Sequence, residues 1–335
     1  MFLLPSFAKI NLGLKIGVRR TDGFHDLRTV YQTLALHDGI SVEVQTGSGI
    51  EIRCDDSRVP RDHTNTCYKI ADRVMKAAGA AGKIVIEIEK NLPVQGGLGA
   101  ASSNAVVTML ALERALGIEL SQAEKLRIAA EVGSDLPLFL VGGTVLGLGR
   151  GEQVYALPDL PVMHLVVVTP PVGVSTPKAF ARWDELVSRE PAEERQLTSL
   201  GIPRTINQSS ESVLDWLAEY VQRAESGPAS GVPAGGGDRA ETLLLDLVRT
   251  GIENDFERVV FPEYPELREV KELLQREGAQ WASLSGSGST LYGVFASADD
   301  ASAAAERMRA SGHAAVATTS LTRDEYWRAI GTAPP

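Results

Sequence analysis

A glycine-rich passage, residues 93–104, leads directly into a long apolar segment, residues 105–116. The passage reads Pro-Val-Gln-Gly-Gly-Leu-Gly-Ala-Ala-Ser-Ser-Asn, and the segment, rich in alanine, valine and leucine and followed by Gly117, is typical of a buried helix. Exposed backbone N–H groups at a helix start bind phosphate, and glycine lets a ligand approach the backbone. Together with the strand-like residues 84–89, the pattern predicts a strand, a phosphate-binding loop and a helix. A plain turn before a core helix is the alternative.

Residues 8–16 show the alternation of a half-buried strand. The even positions are apolar, whereas Lys9, Asn11 and Lys15 take odd positions, so Lys9 and Asn11 share a face. The Asp-Gly pair at 22–23 predicts a turn into a second strand over 30–36. Further strands are predicted at 40–44, 164–169, 281–284 and 290–295, and helices at 121–133, 177–188, 241–250 and 264–277, with a short helix near Ser134 and Asp135.

Composition excludes several classes of protein. The 335 residues are 44% hydrophobic, enough for a large core and two domains. The net charge of −10 argues against nucleic acid as a partner, since phosphate-backbone binding needs a basic face. Cys54 and Cys67 have neither CxxC spacing nor a nearby histidine pair, so no disulfide or zinc site is indicated. No segment is apolar enough for a membrane span. Pro5 and Lys9 interrupt the apolar first residues and no basic region precedes them, so no signal peptide is indicated and we expect a cytoplasmic protein.

Three common nucleotide-binding signatures are missing. No G-x4-G-K-[ST] sequence occurs, because Gly82-Lys83 is followed by isoleucine. The HRD and DFG signatures of protein kinases are absent, and no acidic residue ends a strand about 20 residues after the glycine loop, as dinucleotide binding requires. The loop therefore indicates phosphate chemistry on a different scaffold.

Four motifs together resemble the GHMP kinase superfamily. They are Ala8-Lys-Ile-Asn-Leu12, the loop 93–104, Gly133-Ser-Asp-Leu-Pro137 and Leu284-Ser-Gly-Ser-Gly-Ser289, and they occur in the family's order. Within the superfamily, residues 8–25, Pro170–Thr176 and Asn254-Asp-Phe256 look like the diphosphocytidyl-methylerythritol kinases. The resemblance implies an α+β fold with the active site between two domains, residues 1–155 binding ATP and residues 156–325 closing the cleft, and it implies ATP and Mg²⁺ as cofactors.

The resemblance also implies the catalytic residues. Asp135 would be the base that takes the proton of the acceptor hydroxyl, and Lys9 would keep that carboxylate ionised and stabilise the moving phosphoryl group. Taken alone, Asp135 would be read as a helix N-cap. The residues implied for ATP are Pro93, Gly96, Gly97, Leu98, Gly99, Ala100, Ala101, Ser102, Ser103, Asn104 and Asn65, and those of the C-terminal glycine loop are Ser285, Gly286, Ser287 and Gly288.

The remaining implied residues bind the acceptor, diphosphocytidyl-methylerythritol. Phe24 and Phe180 would sandwich a cytosine, His25 would hydrogen-bond its edge, Asn11 would reach the erythritol hydroxyls or the diphosphate, and Thr176 would lie nearby. Ordinary packing is the alternative for each ring, and a helix cap is the alternative for Asn65. Ser103 is a candidate Mg²⁺ ligand, and Glu152 is a weaker one.

The chain departs from the family pattern at two places. Gln95, Ala100 and Ala101 stand where the family loop usually has glycine; alanine would start the helix earlier, and Gln95 is awkward if its position needs a positive φ. Residues 190–250 exceed the usual length, and their Gly/Pro-rich part near 225–240 is predicted to be a flexible loop.

Two other functions stay open at this point. One is a GHMP kinase with another acceptor, such as homoserine or mevalonate. The other is a relative that senses a metabolite without catalysis, against which the joint presence of Lys9 and Asp135 argues. The sequence does not choose between a monomer and a homodimer.

Overall fold

The computed structural model describes residues 3–94, 96–189 and 253–331, and it confirms the predicted α+β architecture. The strands are β1 Leu4–Arg19, β2 His25–Gln45, β3 Gly49–Cys54, β4 Lys83–Glu89, β5 Thr144–Leu148, β6 Gln153–Ala156, β7 His164–Val168, β8 Trp281–Leu284, β9 Leu291–Phe295 and β10 Ala315–Thr319. The helices are α1 Thr66–Ala78, α2 Ala100–Leu116, α3 Gln122–Val132, α4 Thr176–Ser188, α5 Glu257–Glu263, α6 Pro265–Arg276, α7 Ala298–Ala310 and α8 Arg323–Ile330, with a 3₁₀ turn at Pro137–Leu140.

A six-stranded sheet forms the first layer, with β2 at its centre. The order is β3-β4-β2-β5-β6, and β1 also pairs with β2, antiparallel. The segments 30–36 and 40–44, which the sequence suggested as two strands, are parts of the single 21-residue strand β2. Its first part pairs with β5 and its last part with β4, so each apolar stretch has its own neighbour.

Helix α2 lies inside the first domain. Residues from Ser103 to Glu113 are buried without interruption, because α2 contacts α1 on one side and β1 and β2 on the other. This two-sided burial explains why its sequence is apolar all round. The helix begins at Ala100, earlier than the segment 105–116 suggested, and ends at Gly117 as expected.

A second sheet has the order β10-β7-β9-β8 and packs with α4 to α7 around its own core. The chain then returns to the first domain, since Tyr326, Trp327 and Ile330 of α8 are buried in the first core. The predicted division near residue 155 stays a prediction.

Strand β1 connects the two halves. Ile10 and Leu12 pack in one cluster with Leu165 and Tyr292 of the second sheet. Leu14 bridges Asn254, and its N–H donates to the carbonyl of Glu253 at 3.1 Å. Residues at the middle of β1 therefore face the junction between the two halves. Among the described residues, no helix is long and apolar enough to cross a membrane.

Most predicted elements are confirmed within a few residues, including α3, which begins after the cap Ser121 and stops at Gly133. The predicted helix 241–250 and the Gly/Pro-rich part near 225–240 lie outside the described residues, as does Gln95.

Candidate active site

The glycine-rich loop has a backbone conformation that favours glycine. Gly96, Gly97 and Gly99 have φ values of 149°, 86° and 69°, which other residues rarely adopt. Gly99 is the N-cap of α2, so the N–H groups of the first helical turn lie at the loop. The N–H of Lys9 donates to the carbonyl of Leu98 at 2.9 Å, which ties the loop to β1.

A buried carboxylate that the sequence analysis missed holds both ends of this loop. Asp38 accepts hydrogen bonds from the backbone N–H groups of Asn91 and Leu92, at 2.8 and 2.7 Å, and from the Lys90 ammonium at 2.6 Å. It also accepts from Asn104 Nδ2 at 2.9 Å. Asn104, expected to bind ATP, is thus buried and fixes the start of α2 through Asp38.

The C-terminal glycine loop packs directly against the first loop. Ser285 Oγ donates to the carbonyl of Gly97 at 2.9 Å, and the N–H of Thr290 donates to the carbonyl of Gly96 at 3.0 Å. A Cβ on Gly97 would overlap the Ser285 carbonyl. Thr176 Oγ1 lies 2.7 Å from Ser287 Oγ, so Thr176 supports this second loop.

The Asn254-Asp-Phe motif explains how the second loop is held. Asn254 Nδ2 lies 2.8 Å from the carbonyls of both Leu284 and Gly286. Asp255 accepts from the N–H of Ile16 at 2.8 Å, and burial raises the pKa of this carboxyl. One short segment therefore fixes both the second glycine loop and the end of β1.

Lys9 and Asp135, which are 126 positions apart in the sequence, meet beside the two loops. Lys9 Nζ lies 3.4 Å from Asp135 Oδ2; the lysine side chain is 3% exposed and the aspartate 36%. A Cβ on Gly99 would lie 3.0 Å from Lys9 Cγ, and one on Gly286 would lie 3.9 Å from its Nζ. The cap of the following 3₁₀ turn is Leu136 without a side-chain bond, so Asp135 is not an N-cap there.

Asn11 holds Lys9 instead of facing an open cleft. Its Oδ1 accepts from Lys9 Nζ at 2.8 Å, and its Nδ2 donates to Thr29 Oγ1 at 2.7 Å. The side chain is buried. The shared face of Lys9 and Asn11 on β1, predicted from the alternation, is thus confirmed, whereas the predicted contact of Asn11 with the acceptor has no support in these bonds.

Tyr31 is a second residue that the sequence analysis missed. Its hydroxyl lies 3.3 Å from Asp135 Oδ1, and its ring centroid is 5.3 Å from Lys9 Nζ. Burial and the neighbouring Asp135 carboxylate raise the pKa of Tyr31 well above its usual value. The one signal in the sequence that could have indicated this role is the position of Tyr31 in the apolar stretch 30–36, which pairs with β1 so that Tyr31 lies opposite Asn11.

The three predicted cytosine-binding residues are arranged differently from the expected sandwich. His25 stacks on Phe180, with ring centroids 4.9 Å apart and planes at 6°, and so covers one face of that ring. His25 Nε2 lies 2.7 Å from Asp184 Oδ1. Phe24 is 50% exposed, and the guanidinium of Arg150 lies 4.9 Å from its ring centroid.

Three further predicted ligands have structural partners. Ser103 is buried, and its hydroxyl lies 2.8 Å from that of Ser6, which leaves the half-buried Ser102 as the accessible hydroxyl of the first turn of α2. Asn65 is the N-cap of α1, where Oδ1 accepts from the N–H of Cys67 at 2.8 Å. Its other predicted role, near the nucleotide, stays a prediction. Glu152 accepts from the N–H of Arg150 at 2.6 Å.

The arrangement suits phosphoryl transfer to an alcohol. The start of a helix suits phosphate oxygens, a buried ammonium supplies positive charge, and a partly exposed carboxylate can accept a proton. Among residues 3–94, 96–189 and 253–331, no three His, Cys, Asp or Glu side chains lie together as a metal site.

Comparison with known proteins agrees with this geometry. The GHMP kinases N terminal domain family matches residues 65–143, and the GHMP kinases C terminal family matches residues 240–314. A 4-diphosphocytidyl-2-C-methyl-D-erythritol kinase from Moorella thermoacetica is 31% identical over 95% of this chain and 98% of its own length.

Solved structures show the same relationship. A crystal structure of 4-(cytidine 5′-diphospho)-2C-methyl-D-erythritol kinase superposes with a TM-score of 0.68 and 29% identity, over 95% of this chain and 99% of that one. A homoserine kinase from Cytophaga hutchinsonii, 19% identical with a TM-score of 0.62 over 96% and 95% of the two chains, shares the fold. The chain is an ATP-dependent kinase of the GHMP superfamily, and within it belongs to the 4-diphosphocytidyl-2-C-methyl-D-erythritol kinase family.

Proposed function

We propose that this kinase transfers the γ-phosphoryl group of ATP to the 2-hydroxyl of 4-diphosphocytidyl-2-C-methyl-D-erythritol, giving ADP and the 2-phosphate. The pathway would be the non-mevalonate route to isoprenoid precursors. The observation that carries the proposal is the Lys9–Asp135 pair, 3.4 Å apart beside two glycine loops. The relatives of this chain are named as kinases of that substrate.

Asp135 serves as the general base in this proposal. Its carboxylate accepts the proton of the acceptor hydroxyl as the oxygen attacks the γ-phosphorus, and the bond from that phosphorus to the β,γ-bridging oxygen breaks. Lys9 stabilises the negative charge on the transferring group. Asn11 holds Lys9 in place through the 2.8 Å bond to Nζ.

The two glycine loops bind the phosphates. The N–H groups at the start of α2 face the triphosphate, and the helix dipole favours its negative charge. When bound, Mg²⁺ neutralises phosphate charge during transfer. Ser102 is the residue that would hold the ion with the phosphate oxygens, because the hydroxyl of Ser103 is buried against Ser6.

The cytosine end of the acceptor lies at Phe24, His25 and Phe180 in this proposal. Phe24 offers an exposed ring on which the base can stack. Phe180 stacks on His25 and so holds the imidazole ring in place. We propose a cytoplasmic location, in line with the two cysteines that form no predicted disulfide and the lack of a signal-peptide pattern in the sequence.

A coupled assay for ADP release tests the substrate. Diphosphocytidyl-methylerythritol, homoserine and mevalonate are offered in parallel with ATP and Mg²⁺, and CMP is added as a competitor. We expect turnover with the cytidine substrate alone, inhibited by CMP. Turnover of homoserine or mevalonate that ignores CMP would assign another acceptor, and ATP binding without ADP release from any of them would favour a sensor.

A further inference from the structure

The carboxylate of Asp135 has a separate donor for each of its oxygens. Lys9 Nζ lies 3.4 Å from Oδ2, and the Tyr31 hydroxyl donates to Oδ1 at 3.3 Å. The two donors stand on the paired strands β1 and β2, where Tyr31 is directly opposite Asn11. Two fixed donors on one rigid sheet determine both the position and the rotation of the carboxylate.

Glycines shape the space that Tyr31 occupies. A Cβ on Gly147 would lie 2.5 Å from Tyr31 Cε2, and one on Gly151 would lie 2.5 Å from the hydroxyl. Gly147 does not have a positive φ, so its backbone would accept any residue. Crowding excludes a side chain there, chiefly by the Tyr31 ring and also by Thr29 Cγ2, which would lie 3.2 Å from an added Cβ. The sequence of β5 and the following turn is thus fitted to a tyrosine at position 31.

We propose that Tyr31 is a positioning residue for phosphoryl transfer, whose hydroxyl orients the Asp135 carboxylate and whose ring supports the Lys9 ammonium. The inference rests on the proposed function of that pair. Burial and the charges of Asp135 and Glu152 raise the pKa of Tyr31, so the phenol stays protonated and keeps donating at working pH. The charged and titratable groups facing it are Lys9, Asp135 and Glu152.

The variant Tyr31→Phe removes the hydroxyl and keeps the ring beneath Lys9. We expect kcat to fall about tenfold, the rate equivalent of one hydrogen bond to a charged group, with KM for ATP within about twofold of wild type. The acid limb of the kcat profile should move up by about 0.5–1 pH unit, because the ionised carboxylate loses a donor. Tyr326→Phe is the matched control. It also removes a buried tyrosine hydroxyl, but that hydroxyl donates to the Phe139 carbonyl and not to Asp135.

A second variant tests the same point by geometry. Gly147→Ala displaces the Tyr31 ring without a φ penalty, and should lower kcat and shift the acid limb as Tyr31→Phe does. In the Tyr31→Phe background it should move the acid limb no further, because the hydroxyl is already gone. If Tyr31→Phe does not fold, the pH profile of Gly147→Ala decides alone.

The inference would be overturned if Tyr31→Phe had the kcat and the pH profile of the wild type. If Tyr31→Phe does not fold, the same result in Gly147→Ala would overturn it. A changed KM for the acceptor with kcat intact would overturn it too, since Tyr31 would then contact substrate. Asp135→Asn separates the two claims. Full activity of that variant would refute the proposed function, whereas an inactive Asp135→Asn beside an unaffected Tyr31→Phe would refute this inference alone.

Discussion

Replacing Gly97 by alanine should separate the two glycine loops and weaken ATP binding. A Cβ at this position would overlap the carbonyl oxygen of Ser285 and lie 3.0 Å from its carbonyl carbon, whereas ordinary contact begins at 3.4 Å. The loops must therefore part by at least 0.4 Å (3.4 − 3.0) at the carbon and by more at the nearer oxygen. The bond from Ser285 Oγ to the Gly97 carbonyl would be strained as well.

Alanine also pays a backbone cost at this position, because φ is 86°. Gly312 has a φ of 87° and nothing within 4 Å of an added Cβ, so Gly312→Ala measures the backbone cost alone, about 1–2 kcal/mol. A displacement of about 1 Å in a catalytic site lowers the reaction rate by up to about 10²-fold. We expect Gly97→Ala to raise KM for ATP about 10–100-fold and Gly312→Ala to leave it unchanged.

The measurements are initial rates of ADP release against ATP concentration, and urea denaturation for the free energy of unfolding. Urea denaturation corrects for any unfolded fraction, so that the two alanine variants are compared as folded proteins. Equal KM values for ATP in Gly97→Ala and Gly312→Ala would refute the reasoning, because close contact of the two loops would then not matter for nucleotide binding.

Three further predictions concern other parts of the molecule. Asp38→Asn leaves the buried Lys90 ammonium without its counter-charge and should cost about 3–5 kcal/mol in urea denaturation, with a higher KM for ATP; wild-type stability would contradict this. Phe24→Ala should weaken inhibition by CMP about tenfold or more without loss of stability, since the ring is exposed; an unchanged inhibition constant would remove Phe24 from the base site. Burial raises the pKa of the Cys67 thiol to about 12, so about one thiol in 10⁴ is ionised at pH 8. In a Cys54→Ala background, Cys67 of the native protein should therefore react slowly with DTNB, and rapid release of one equivalent of thionitrobenzoate would contradict this.

The local patterns of the sequence predicted the parts of the site that depend on neighbouring residues. The alternation of β1 predicted the shared face of Lys9 and Asn11, and the glycine-rich passage before an apolar segment predicted a loop that leads into α2. Both signals act over a few residues. The contact between Lys9 and Asp135 could be predicted only from the resemblance to a family, because no local pattern relates positions so far apart.

The residues that the sequence analysis missed act through long-range contacts. Asp38 and Tyr31 lie in β2, which reads as an ordinary strand, and their roles depend on partners more than 50 positions away. The assignments of Ser103 and Asn104 assumed that the whole start of α2 faces ATP. Both lie on its buried side, because one turn of a helix presents its residues in all directions.

The central claim is that Asp135, held beside Lys9, takes the proton during transfer. Single-turnover rapid quench of Asp135→Asn, with γ-labelled ATP and diphosphocytidyl-methylerythritol, tests it most directly, with ATP affinity measured by calorimetry. We predict a transfer rate lower by about 10²–10⁴ at wild-type ATP affinity. A transfer rate equal to that of the wild type would contradict the claim.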